Sequence, residues 1–329
     1  MVVAPGGQRV LVIGWGFIGA AVGRRLRSDG VGVVAITRKA SDRSEAARAA
    51  GIDVRYGPVD HPCVLDGLLD DVEHVVFAAG GLLPADAARD PLRDAAEMIT
   101  PWLATLEVVK NHPHIGITLV SSGGTVYGNP RHIPVREDDE TLPVSAYGAS
   151  RLACTTYAGA YRSTHGLRIQ VVRCANAYGP GQPHGRSQGA VAVFLHQLRA
   201  NLPITIFGDG TAIRDYVYID DVAAAIAHLA CSGADIETVN VGSGRGHTTL
   251  ELLDKLILLT GKTPEVIHLP ERPHDVRQIV LDIGSLSSLM DYRPLALEDG
   301  LRLTCAHTQG EVVPFVTAPD WQSEFLNVR

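Results

Sequence analysis

The chain has 329 residues, 46% of them hydrophobic and 20% charged, the composition of a soluble globular protein with material for a sizeable core. A net charge of -7 argues against a nucleic-acid partner gripped through a broad basic surface. Five scattered cysteines without a C-x-x-C pair, and 13 histidines without an H-E-x-x-H pair, predict neither a disulfide framework nor a metal site and fit a reducing cytoplasm.

In chain order, the first predicted strand is "RVLVIG" (9–14). The apolar run from Val10 to Gly23, bounded by Arg9 and Arg24, falls short of the roughly 20 residues that span a bilayer, and it lacks the basic n-region and small-residue cleavage pattern of a secretory signal. No membrane partner is expected. The run reads as strand, turn and helix: Gly14, Gly16 and Gly19 follow the strand and open a helix over 18–28. With Phe17 and Ile18 they make a turn whose backbone N–H groups and helix N-terminus approach a pyrophosphate. The second strand, "GVVAIT" (32–37), ends in Thr37, Arg38 and Lys39 where a carboxylate would hold a ribose 2'-hydroxyl. A guanidinium suits a 2'-phosphate instead, so among NAD(P) cofactors NADP is favoured over NAD.

Further along come a helix over 42–50, "HVVFAAG" (74–80), a helix over 91–110, "GITLVSS" (116–122), a helix over 147–165 and "IQVVRCAN" (169–176). Strands apolar throughout and alternating with helices predict an α/β fold, a Rossmann-type doubly wound parallel sheet covered on both faces. After residue 177 the pattern loosens into "YGPGQPHGRSQG", a helix over 190–200, "PITIFGDG" and "RDYVYIDD", then a helix over 220–231. "ETVNVGSG" (237–244) reads as a strand that rejoins the main sheet, before a helix over 249–261 and the strand-like "PEVIHLP". The predicted division is a dinucleotide-binding domain of 8–177 with 217–245, a smaller C-terminal substrate lobe of 178–216 with 246–305, and a tail, 306–329, to which no role is given.

"VSAYGASR" (144–151) places Tyr147 and Arg151 four positions apart, on one helix face. With "LVSSGGTVYG" (119–128), "RCANAYGPGQ" (173–182) and "GDGTAIRDYVYIDDVAAAI" (208–226), in that order behind the glycine turn, the chain resembles the extended short-chain dehydrogenase/reductase family over residues 8–305. The motifs match its nucleotide-sugar epimerase, dehydratase and ketoreductase branch. The resemblance implies that Tyr147 exchanges a proton with a sugar hydroxyl while a nicotinamide takes or returns hydride at the same carbon. A free phenol has a pKa near 10, and an adjacent cation favours its ionised form. The family uses lysine for that cation; Arg151 keeps the charge in a planar fork with different hydrogen-bond geometry.

Other departures concern neighbouring positions. The family's serine or threonine that bonds the reacting oxygen aligns with Gly123, so Ser122 or Thr125 would supply the hydroxyl, Thr125 being preferred as lying along the same strand end. Pro58 stands where an adenine-binding aspartate is usual, leaving Val59 to offer its backbone, and Met98 replaces a helix asparagine. Ala78, Ala79 and Gly80 match the small residues over which the cofactor passes, and the backbone at Cys174 faces the nicotinamide. Asn176, Arg214 and Arg272 match positions that hold the diphosphate and sugar oxygens, which guanidinium groups bind in bidentate fashion; an ion pair to Asp215 or Asp220 is the alternative for Arg214. "PITIF" is expected against the nucleobase, and "REDDE" (136–140) in a solvated loop.

The implied activity is C4 epimerisation of a UDP- or dTDP-hexose by a cytoplasmic homodimer that pairs through the helices over 91–110 and 147–165. Two alternatives stand beside it. Arg38 suits an NADPH-dependent 4-ketosugar reductase, and Arg151 together with Gly123 suits a catalytically impaired cofactor-binding homologue.

Overall fold

A computed structural model of the chain describes residues 7–183 and 189–308. The predicted tail from 309 onward lies outside the described residues, whereas 306–308 end the last helix. The first half alternates strand and helix: β1 (Arg9–Ile13), α1 (Phe17–Ser28), β2 (Gly32–Thr37), α2 (Asp42–Ala49), β3 (Asp53–Tyr56), α3 (Pro62–Asp66) and β4 (His74–Phe77). There follow α4 (Pro84–Arg89), α5 (Pro91–Val109), β5 (Gly116–Ser122), the single turn α6 (Gly123–Val126), α7 (Ala146–His165) and β6 (Ile169–Cys174). Local chemistry sets several ends. Asp90 caps α5 by accepting the Arg93 N–H, with Pro91 in the first turn, and Ser145 caps α7 by accepting the Gly148 N–H. Gly166, in the left-handed conformation, stops α7.

The second half carries β7 (Asn176–Tyr178), α8 (Ala190–Ala200), β8 (Ile204–Phe207), β9 (Ile213–Tyr218), α9 (Ile219–Ser232) and β10 (Thr238–Val241). It ends with β11 (Gly246–Thr248), α10 (Thr249–Thr260), β12 (Val266–Leu269), α11 (Gly284–Leu289) and α12 (Leu297–Thr308). Seven strands form one parallel sheet in the order β10-β6-β5-β4-β1-β2-β3. β10 pairs with β6, Thr238 opposite Val171, so the late strand does rejoin the sheet.

Alternation along each strand divides the core in two. Val10 and Val12 of β1 belong to a cluster with Ala21 and Val22 of α1 and Val222 and Ile226 of α9. Leu11 and Ile13 face the other way, into a cluster with Met98 and Trp102 of α5 and Cys154 of α7. Both faces are covered, and the polar residues that the inner strands carry, such as His74, Thr118, Gln170 and Asn240, are buried with them. The first cluster continues into Phe194 and Leu198 of α8 and Leu252 of α10, so the smaller sheets share one core with the main one. Those are β11-β9-β7 and β12-β8.

One expected strand is two. Pairing with β5 stops at Cys174, and Asn176–Tyr178 leaves to run parallel to β9. The chain reverses its direction of travel across the sheet between β1 and its neighbours β2 and β4, and the carboxyl ends of those strands are where an open α/β sheet accepts a ligand.

Candidate active site

The three glycines after β1 meet three different steric demands. Gly14 has φ +98, and a Cβ there would stand 2.5 Å from the Ala79 nitrogen, so the turns after β1 and β4 touch. A Cβ on Gly19 would overlap the Gly14 carbonyl oxygen, which α1 approaches directly. Gly16 has no atom within 4 Å of its missing Cβ, leaving open space before the N-terminus of α1. Phe17 and Ile18 are half-buried against the first core cluster. This cradle fits a dinucleotide pyrophosphate. The residue between the first two glycines, Trp15, turns inward and lies on Gly23 of α1.

At the end of β2 the Thr37 carbonyl accepts the Gly57 N–H at 3.1 Å. Arg38 is 58% exposed in its side chain and reaches Glu97 of α5 at 3.2 Å. Glu97 is held below the usual carboxylate range, first by its hydrogen bond to Arg93 and also by Arg38. Val59 buries its side chain in the second cluster, so its backbone is what remains for a ligand.

Tyr147 and Arg151 sit in the first two turns of α7. The Arg151 Cζ lies 4.3 Å from the Tyr147 ring centroid, over its face. Arg151 is 4% exposed and its Nη1 has no hydrogen-bond partner. Its Nη2 is the atom nearest the missing Cβ of Gly80, at 3.5 Å. A buried cation with an unused donor, beside the small residues after β4, is a costly arrangement and one that a hydroxyl-bearing cofactor would satisfy. The cradle and this donor together fit a dinucleotide.

The hydroxyl candidates are placed differently from expectation. β5 ends at Ser122, and Thr125 is on α6, not along the strand end. The Thr125 Oγ1 is buried without a partner, while its carbonyl oxygen packs 2.9 Å from the missing Cβ of Gly148 in α7. Ser122 is half-buried. Around the missing Cβ of Gly124 stand the Asn176 Oδ1 at 3.2 Å and the Ser122 Oγ at 3.9 Å, so Ser122 and Asn176 border the same small space. Gly123 is closely enclosed: a Cβ would lie 2.6 Å from Leu281 Cδ1 and 3.0 Å from the Arg173 carbonyl oxygen, so a side chain there would require these neighbours to shift. Cys174 is buried, and burial pushes its thiol up to about 12.

On the far side, Arg214 donates through Nη1 to the Ile213 carbonyl at 2.9 Å, and burial is the main cause that lowers its pKa, with Arg272 adding like charge. Neither carboxylate offered as its alternative partner takes it. Asp215 instead accepts from the Ser243 N–H and hydroxyl and from the Leu281 N–H, and Asp220 faces Arg24 and Arg25. Arg272 pairs with Asp275 at 2.8 Å and stacks on Phe207 of "PITIF", its Cζ 4.1 Å from the ring centroid. Within "REDDE", Glu137 is more than solvated loop: it accepts the Asn240 N–H at 2.9 Å and the Ser285 hydroxyl at 3.0 Å.

One site residue was not anticipated. Asp94 of α5 is buried, accepting the Leu82 N–H and the Ser150 hydroxyl. Its signal in the sequence is the spacing 94, 98, 102, which puts it on the same face as Met98 and Trp102. Among the described residues there is no cluster of metal-ligating side chains, and no helix is long and apolar enough to cross a membrane.

Comparison with known proteins agrees with this geometry. The profile described as the NAD dependent epimerase/dehydratase family matches residues 10–242. A UDP-glucose 4-epimerase of Mycolicibacterium smegmatis is 33% identical over 305 residues, spanning 90% of this chain and 97% of that one. The solved UDP-glucose 4-epimerase of Thermotoga maritima with UDP-glucose superposes with a TM-score of 0.87 at 31% identity, over 93% of this chain and 100% of the other. That of Thermus thermophilus, a complex with NAD, gives 0.86 at 31% identity, with the same coverage.

Proposed function

The chain belongs to the NAD dependent epimerase/dehydratase family, and from that premise and the site's geometry we propose that it interconverts nucleoside-diphosphate hexoses epimeric at C4. UDP-hexose is the preferred substrate, since the similar proteins named above are UDP-glucose 4-epimerases. One observation carries the assignment: a half-buried phenol with a buried guanidinium stacked on it, next to the loop that closes the glycine cradle.

A nicotinamide dinucleotide held by the glycine turn and the Ala78–Gly80 passage would supply the hydride acceptor for the oxidation and the donor for the return. The chain's own residues manage the proton and the pose. Tyr147 takes the C4 hydroxyl proton at its phenol oxygen and gives it back, and the Arg151 charge over the ring stabilises the oxygen while it is negative. Ser122, with Asn176 beside it, holds the reacting sugar oxygen; Thr125 braces the start of α7 through its backbone. Arg214 and Arg272 neutralise the diphosphate, and Phe207 offers an apolar face to the nucleobase. Gly14, Gly16, Gly19 and the passage Ala78–Gly80 hold the dinucleotide.

Three finer points belong to the same proposal. The cofactor is NADP in preference to NAD, through Arg38 and Lys39. The sheet segments, 8–177 with 217–245, bind it, while 178–216 with 246–305 bind the sugar nucleotide. The protein works in the cytoplasm as a homodimer joined through α5 and α7, where Leu92 is 84% and Tyr157 41% exposed. Turnover of UDP-glucose to UDP-galactose without added NAD(P)H is the expected result. Stoichiometric NADPH consumption with a 4-ketosugar, and no epimer from any UDP- or dTDP-hexose, would overturn it in favour of a reductase.

A further inference from the structure

Asp94 stands where helix α5 faces the apolar layer under the sheet, with Met98 and Trp102 next along the same face, and it is 0% exposed. Both of its carboxyl oxygens are engaged. Oδ1 accepts the Leu82 N–H at 3.0 Å, and Oδ2 accepts the Ser150 hydroxyl at 2.6 Å. The Ser150 oxygen is also 3.0 Å from the Tyr147 carbonyl oxygen. Leu82 is two residues past Gly80, which abuts Arg151 Nη2, and Ser150 is the chain neighbour of Arg151. The fit is close: a Cβ on Gly81 would stand 2.8 Å from Asp94 Oδ1 and 3.2 Å from Met98 Cβ. One side chain therefore ties the loop after β4 to the turn of α7 that bears the phenol and the guanidinium.

We propose that Asp94 is a positioning residue, fixing the loop that carries the dinucleotide relative to Tyr147 and Arg151. The assignment rests on the roles given above to that pair. Its physical basis is a two-armed tether from a buried carboxylate, whose hydrogen bonds are costly to break because the group left unpaired would be buried. The Oδ1 arm holds the loop and so the cofactor. The Oδ2 arm holds the first turns of α7 and so the phenol. Proton and hydride transfer at one carbon need both partners in register, and a displacement of about 1 Å costs on the order of 100-fold in rate.

The test compares Asp94→Ala, Asp94→Asn and Ser150→Ala in the full chain. It reads kcat and KM for UDP-galactose, dinucleotide retained through gel filtration, hydrogen exchange at the Leu82 amide, and the thermal midpoint. Asp94→Ala is expected to lower kcat about 100-fold with KM changed less than about threefold, to release dinucleotide and to speed exchange at Leu82. Asp94→Asn is expected to restore all of these, because its amide accepts from Leu82 and donates to the Ser150 oxygen. Ser150→Ala is expected to lower kcat about tenfold while Leu82 exchange stays unchanged. Wild-type retention and exchange in Asp94→Ala would overturn the proposal. So would an Asp94→Asn variant as impaired as the alanine one, or losses that track the thermal midpoint alone. Should Asp94→Ala not fold, the other two variants still decide. If the unaltered chain turns over no nucleotide sugar, retention and exchange test the tether independently of the substrate.

Discussion

Replacing Arg151 with Met keeps the bulk of the side chain and removes its charge from above the Tyr147 ring. The Arg151 Cζ is 4.3 Å from the ring centroid, and unit charges about 4 Å apart attract by about 4 kcal/mol at an effective dielectric constant of 20 and about 1 kcal/mol in bulk water. Negative charge present on the phenol only while the proton is away would lose an amount between these bounds. The variant's kcat should fall by roughly 10- to 1000-fold, with a smaller change in KM. Stability should move the other way, because Arg151 is 4% exposed and its Nη1 has no hydrogen-bond partner. An apolar replacement at such a site is often neutral or stabilising by about 1–4 kcal/mol. Coupled-assay kinetics and urea denaturation of the same preparation give both numbers. An Arg151→Met enzyme that keeps its kcat would refute the role of the stacked cation. Arg151→Lys separates a built-in arginine, for which activity falls, from an impaired site, for which it rises.

Gly23→Ala should destabilise the chain by about 1–3 kcal/mol, because the added methyl would overlap the Trp15 ring, and the penalty should vanish in a Trp15→Ala background by double-mutant cycle in urea. Arg38→Ala should weaken NADP binding about tenfold and leave NAD binding unchanged in calorimetric titration; equal loss of both would remove Arg38 from cofactor discrimination. His74 is buried on β4, its ring nitrogen 2.8 Å from Thr118 Oγ1, and burial lowers its pKa from 6.5 to about 3. In that window the unfolded chain binds the extra proton, so stability should be fully present above pH 6.5 and be lost as the pH falls toward 3. His74→Gln should flatten this slope in denaturation curves measured between those limits.

Much of the fold was legible because its strands have two buried faces. β2 and β5 were located to the residue, since a short run rich in Val, Ile and Leu that opens on a glycine leaves little freedom at either end. β3 was not anticipated: "DVRY" lies at the sheet edge, half of it charged, and only Val54 is buried. The break at Ala175 was hidden because the apolar pattern runs straight through the point where the chain changes sheets. At the candidate site, the glycine turn and the Tyr147–Arg151 spacing could be read from residue type and order, whereas Arg214 and Arg272 were reached only through the family resemblance. Three features depended on tertiary contacts: Thr125 on a helical turn instead of a strand end, the closeness of Leu281 that fixes Gly123, and the burial of Asp94. An aspartate in the first turn of a helix ordinarily faces water and the dipole, so nothing local distinguishes one that holds a loop.

On the proposed mechanism the Tyr147–Arg151 pair works on a carbon whose hydride leaves and returns without exchanging with solvent. UDP-galactose deuterated at C4, incubated with the purified chain and no added cofactor, should yield UDP-glucose that retains the deuterium at C4, with none appearing in water. Epimer formed with loss of the label to solvent would contradict it.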